Sequence, residues 1–307
     1  MFICLYAYMN KGLLLVFSTA IISGFSIFIN KYGVAINNPY VFAFLKNTLV
    51  AMLFICLIFA AKERSLLRKL SRKQWGLLLL IGLIGGGIPF LLFFKGLALI
   101  SAAQGSFIQK TMFLYVAILA LVFLKEKMSK NFLAGAVLLL AANFLMLKGL
   151  SLSFGRGDLL VLAATLLWAV ENVISKYTLK NLPGNIVAGA RMFFGSIFIA
   201  VFLLFSGQMS RVFTLGSAQI GWVAITAILL FGYNLTWYNG LKYVPVSVAA
   251  AILMLGSSIT TLLTAISTGK INSQDIFSGF LILAGLMIIL NIKRFVSKMA
   301  KSLITNH

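Results

Sequence analysis

The chain has 307 residues, 61% of them hydrophobic and 10% charged, with 26 basic residues against 5 acidic and a net charge of +21. A soluble domain carries about 25% charged residues, and a mean hydropathy of +1.05 is more apolar surface than a water-facing fold can bury, so the chain reads as an integral membrane protein. The one histidine is the last residue, His307, and Cys4 and Cys56 stand apart in apolar sequence, which argues against an imidazole-based or metal centre, a disulfide framework and any cofactor.

The N-terminal stretch MFICLYAYMNKG has no basic residue ahead of its apolar part and is a poor signal peptide. Met9-Asn10-Lys11 reads as a more ordinary start, with residues 1–8 an upstream extension. Ten apolar runs follow, at 12–30, 39–61, 75–97, 103–123, 131–148, 158–178, 186–206, 218–240, 247–268 and 275–293. Runs of about 20 residues cross a bilayer as helices. The breaks carry turn or charge signals: Asn37-Asn38-Pro39, Ser71-Arg72-Lys73, Gly155-Arg156-Gly157, Leu182-Pro183-Gly184 and Pro245. The fold class expected is an all-α polytopic membrane protein of ten transmembrane helices. With the N-terminus in the cytoplasm, 17 basic residues fall on the cytoplasmic side and 6 on the other. The positive-inside rule then places both termini in the cytoplasm, with the plasma membrane as the expected location. The basic residues between the runs serve topology and lipid headgroups, and nucleic acid is not an expected partner.

The chain contains a repeat. GLALISAAQGSFI (Gly96 to Ile108) aligns without gaps on GLKYVPVSVAAAI (Gly240 to Ile252), and the same offset carries KNFLAGAVLLLA (Lys130 to Ala141) onto QDIFSGFLILAG (Gln274 to Gly285). Near the start of each half, SGFSIFINKY (Ser23 to Tyr32) matches WAVENVISKY (Trp168 to Tyr177). Runs 1–5 therefore correspond to runs 6–10. Five is odd, so the two five-helix halves enter the membrane from opposite sides, as inverted repeats. That organisation is characteristic of secondary transporters, whose substrate site lies between the repeats near the midplane.

These residues resemble the EamA family of the drug/metabolite transporter superfamily, in two copies at residues 10–149 and 155–294. The resemblance rests on the Lys-Tyr endings of runs 1 and 6, and on a basic residue early in runs 2 and 7 (Lys46, Arg191). It also rests on the passage between runs 3 and 4, repeated between 8 and 9, and on LKEKMSKNFLAGAVLLLAANFLM (Leu124 to Met146). The second copy departs in Thr268-Gly269-Lys270-Ile271, with lysine where the family often has glutamate, and Lys46 replaces the family's usual arginine. The resemblance implies two five-helix bundles, alternating access, and export or uptake of small metabolites, often amino acids. It does not identify the substrate.

Four charges lie well inside runs, where a charge costs several kcal/mol and usually has a function: Lys46, Lys110, Glu171 and Arg191. At about 1.5 Å per residue, Lys46 and Lys110 sit roughly 10 Å below the outer boundary, and Glu171 and Arg191 toward the cytoplasmic half. Glu171 and Arg191 are natural partners, either as a buried pair that fixes helix packing or with Glu171 titrating and coupling transport to protons. Lys46 is expected to snorkel to the headgroups. Lys110 shares a face with Ser106 and has no acid at its depth. It contacts a substrate carboxylate or phosphate, or else snorkels or pairs with a carbonyl. Trp168 and Asn172 on run 6 and Tyr233 and Trp237 on run 8 complete the expected substrate site. Gly87 and Pro89, within Gly85-Gly86-Gly87-Ile88-Pro89, are the expected hinge of a broken third run. A carrier of small anionic or zwitterionic metabolites, with substrate and lipid as its partners, and protons too where Glu171 titrates, is the leading reading. The alternative is a membrane-embedded enzyme acting on lipid or peptide, and it lacks an acid–base pair or metal site. A channel is disfavoured by a repeat of only two. Substrate identity, coupling ion, direction and oligomeric state are left open.

Overall fold

The computed structural model describes residues 2–147, 154–270 and 272–290. Lys148, Lys293, Arg294, Lys298 and Lys301 lie outside the described residues, as do the ends of the fifth and tenth expected runs and of both expected repeats. Among the described residues all regular structure is helical. Eight helices are long and apolar enough to cross a membrane: α1 (Lys11–Ala35), α2 (Pro39–Ala60), α3 (Arg72–Leu99), α4 (Ala102–Phe123), α6 (Arg156–Thr178), α7 (Gly184–Phe205), α8 (Ser217–Leu241) and α9 (Val246–Thr268). Two shorter apolar helices are α5 (Lys130–Leu147) and α10 (Ser273–Ile289).

The break signals act as caps. Asn38 Oδ1 accepts from the backbone N–H groups of Tyr40 and Val41, with Pro39 in the first turn of α2. Ser71 and Gln74 form a capping box at the start of α3. Gly269, at φ +69°, ends α9 in the left-handed conformation that glycine adopts without penalty.

Packing crosses between the two halves of the chain. Helix α1 lies against α8 and α9, α6 lies against α3 and α4, α2 packs on α7, and α5 packs on α10. The lysines of the two Lys-Tyr endings perform one task at two places. Lys31 Nζ donates to the carbonyls of Leu97 (2.9 Å) and Ile100 (2.7 Å) at the end of α3. Lys176 Nζ donates to those of Leu241 (2.6 Å) and Val244 (2.7 Å) at the end of α8. Each satisfies terminal helix carbonyls that have no intrahelical partner.

The third run spans Arg72–Leu99, and its α-helix is interrupted at the glycines, with Gly87 outside helical dihedrals at φ −98°, ψ −89°. Its Gly82–Gly87 stretch forms a π-helical turn, and α-helix resumes from Ile88. The glycines serve close approach: a Cβ on Gly86 would overlap the carbonyl oxygen of Arg191, where α3 crosses α7 at Gly195. The α-helix is also interrupted in α4, after Lys110, and in α9, at Leu253-Met254. By the repeat offset, Lys110 and Met254 are equivalent positions.

The crossing predicts that Gly86→Val costs at least about 2 kcal/mol of stability through overpacking, whereas Gly76→Ala, with nothing within 4 Å, is neutral or stabilises by up to about 1 kcal/mol through helix propensity. Unfolding midpoints of the two variants in detergent micelles provide the comparison.

Candidate functional site

A cavity of about 60 Å³ lies at the centre of the bundle, with room for a few water molecules. Helix α1 contributes Ser23, Ser26, Ile27 and Asn30, α2 contributes Lys46, and α3 contributes Phe90, Phe93 and Phe94. Gln109 and Met112 come from α4, Trp168, Glu171 and Asn172 from α6, Arg191 from α7, and Leu230, Tyr233 and Trp237 from α8.

Positions matched by the internal alignment meet here. Ser23 corresponds to Trp168, Ser26 to Glu171, and Lys46 to Arg191. Lys46 Nζ donates to Asn30 Oδ1 at 2.6 Å and sits 4.9 Å from the Phe94 ring centre. Arg191 donates to Asn234 Oδ1 (2.8 Å) and the Gly85 carbonyl (3.1 Å), with its guanidinium 5.9 Å from the Tyr238 ring. Phe94 and Tyr238 are themselves equivalent by the repeat offset. Each half thus sets a basic side chain over an aromatic face.

Glu171 accepts from the Tyr238 hydroxyl (2.6 Å) and the Ser175 hydroxyl (2.5 Å). Trp168 Nε1 donates to the Gly85 carbonyl (2.8 Å), and Trp237 Nε1 donates to Asn172 Oδ1 (2.9 Å). Tyr233 stacks on Trp237 with ring centres 6.3 Å apart. Two buried polar atoms on lining residues have no protein partner: Arg191 Nε, a donor, and Gln109 Oε1, an acceptor. No group of three or more metal-ligating side chains occurs among the described residues.

Trp168, Asn172, Glu171, Arg191, Tyr233 and Trp237 are brought together as lining residues, whereas Lys110, Ser106, Gly87 and Pro89 are not among them. Three premises of the sequence reading change. Lys46 does not snorkel: it is 1% exposed, because Asn30 and the Phe94 ring meet its amine inside the bundle. Lys110 is not without a partner: its Nζ donates to Ser23 Oγ at 2.6 Å, which places it behind the wall of the cavity. Glu171 and Arg191 both abut Gly85 but form no direct ion pair, since their hydrogen bonds go to Tyr238 and Ser175 and to Asn234 and Gly85 respectively. Ser23, Ser26, Asn30, Gln109 and the three phenylalanines were missed. For Ser23 and Ser26 the signal was the alignment of SGFSIFINKY on WAVENVISKY, which sets them opposite Trp168 and Glu171.

A sequence profile described as the EamA-like transporter family matches residues 10–148 and again 155–291. A Bacillus subtilis (strain 168) protein named "Uncharacterized transporter YyaM" is 28% identical over 283 residues, covering 86% of this chain and 90% of that protein. An Archaeoglobus fulgidus protein named "Uncharacterized transporter" is 28% identical over 236 residues, covering 75% of this chain and 79% of that protein. A solved crystal structure superposes with a TM-score of 0.72 at 19% identity, covering 94% of this chain and 99% of that one, and so shares its fold.

Removing one partner of a buried polar pair leaves the other unsatisfied. Asn30→Leu is therefore expected to destabilise the protein by about 1–3 kcal/mol, and Asn30→Leu with Lys46→Met to recover part of that loss. A double-mutant cycle on detergent-solubilised protein measures the coupling.

Proposed function

Since this chain belongs to the EamA-like transporter family, we propose that it is a secondary carrier of small metabolites bearing a carboxylate or phosphate, amino acids among them. It works by alternating access between two inverted five-helix repeats, residues 10–149 and 155–294. Both termini are in the cytoplasm and the membrane is the plasma membrane. The observation that carries the reading is the central cavity. It is lined from both halves and combines two basic groups, one carboxylate and aromatic walls, with a free donor at Arg191 Nε and a free acceptor at Gln109 Oε1. A small solute with an anionic end and an apolar body matches that set once the helices part to admit it, the cavity being only about 60 Å³ as it stands: its anionic oxygens meet Arg191 and Lys46, and its body stacks on Trp168, Tyr233 and Trp237. Glu171 is the acid available for proton coupling. Lys110, with Ser106 on its face, acts on the site through Ser23 rather than by direct contact. The reciprocal packing of α1 on α8 and α9, and of α6 on α3 and α4, supports the two-fold arrangement. The positive-inside bias supports the orientation.

The test is uptake into proteoliposomes across amino acids, nucleotides and organic acids, with and without a pH gradient. Lys46→Met is expected to raise the apparent KM for the best anionic substrate about tenfold or more, the scale of one charge-assisted contact. Glu171→Gln is expected to abolish the dependence on the pH gradient. An unchanged apparent affinity in Lys46→Met counts against the substrate assignment, and an unchanged gradient dependence in Glu171→Gln against proton coupling.

A further inference from the structure

The Lys125-Glu126-Lys127 turn after α4 plays no part in the cavity, yet its acid bridges the two halves. One Glu126 oxygen accepts from the backbone N–H of Val246 (2.8 Å), and the other from the backbone N–H (3.2 Å) and hydroxyl (2.6 Å) of Ser247. These are the first residues of α9, which follows Pro245 and has no capping side chain of its own. A carboxylate here satisfies orphan donors and meets the positive end of the helix. The same α8–α9 link is gripped from α6 by Lys176.

The opposite end of the α4–α9 seam is built differently. The offset that aligns the two halves puts Lys270 in the place of Glu126, and Ala103 in the place of Ser247. A lysine cannot accept from a helix N-terminus, and α4 is capped by its own Ser101 instead. A cleft of about 180 Å³ lies between the helices there, lined by Ala103 and Phe107 of α4 and by Ser257 and Thr264 of α9, with Lys270 and Asp275. It descends from the exposed Lys270 to the buried Ser257. That residue adjoins Gly256, where an added Cβ would lie 3.2 Å from Lys110 Nζ.

We propose that Glu126 is a one-sided latch: it ties the cytoplasmic end of the α4–α9 seam shut, while the Lys270 end is left free to part. The carrier without substrate therefore rests open to the outside. The latch rests on the alternating-access reading and deepens it by naming the group that sets the resting state.

The experiment uses the full chain in membrane vesicles, with Cys4 and Cys56 replaced by serine and no substrate present. Ala120→Cys, the counterpart of Thr264 on the latched end, reports access from the cytoplasmic face to a membrane-impermeant thiol reagent. Thr264→Cys reports access from outside. Glu126→Gln is expected to raise Ala120→Cys labelling about tenfold, and Ser247→Ala, which keeps both backbone bonds, to raise it by a smaller factor. Lys270→Glu, which supplies the missing acceptor, is expected to slow Thr264→Cys labelling. Unchanged Ala120→Cys labelling in both latch variants overturns the inference, even where Glu126→Gln alone folds poorly. Labelling needs no substrate, so a failed uptake screen bears on the carrier reading and leaves this result to stand by itself.

Discussion

A polar or charged side chain inside a bilayer has to be met by the protein, because no water is there to meet it. In this bundle that requirement fixes which helices touch. Lys46 of α2 is held by Asn30 of α1, Lys110 of α4 by Ser23 of α1, Glu171 of α6 by Tyr238 of α8, and Arg191 of α7 by Asn234 of α8 and a carbonyl of α3. Every one of these bonds joins two helices. A segment that is otherwise uniformly apolar has no preferred rotation in lipid, so such bonds set which face of each helix turns inward.

Backbone carbonyls carry the second part of the framework. The π-helical turn of α3 presents the Gly85 carbonyl to both Trp168 and Arg191, and the Gly86 carbonyl accepts from Asn47 Nδ2 at 2.7 Å. This takes three helices into contact with one short stretch, which only glycine permits at such a separation. π-turns of this kind are frequent at functional sites. Here the turn adjoins the cavity wall that holds Glu171 and Arg191.

Cavity and seam are mechanically joined at Lys110. Its amine binds Ser23, which lines the cavity, and its stem packs at Gly256, beside the interruption of α9 and at the equivalent interruption of α4. Thr260 of α9 donates to the Gly24 carbonyl of α1 one turn away. Lys110 thus touches both the cavity lining, at Ser23, and the residues beside the interruption of α9, at Gly256. The asymmetry of Lys110 against Met254 therefore belongs to the joint between site and seam.

The sequence by itself determined the membrane class, the span positions to within a few residues, the internal repeat in the chain, and Trp168, Tyr233, Trp237, Glu171 and Arg191 among the cavity's aromatic and charged lining. Those features follow from hydropathy, from local capping at Asn38 and Ser71, and from self-alignment, all of which act over short stretches of chain. Only the tertiary structure decided the partners. Lys46 turns inward to Asn30 of another helix, Lys110 lies behind the wall on Ser23, and Glu171 and Arg191 bond past each other to Tyr238 and Asn234. Glu126 found the start of α9 more than a hundred residues away. Such pairings depend on how helices cross, and crossing is set by packing at positions such as Gly86 and Gly256 that carry no polar signal in the chain.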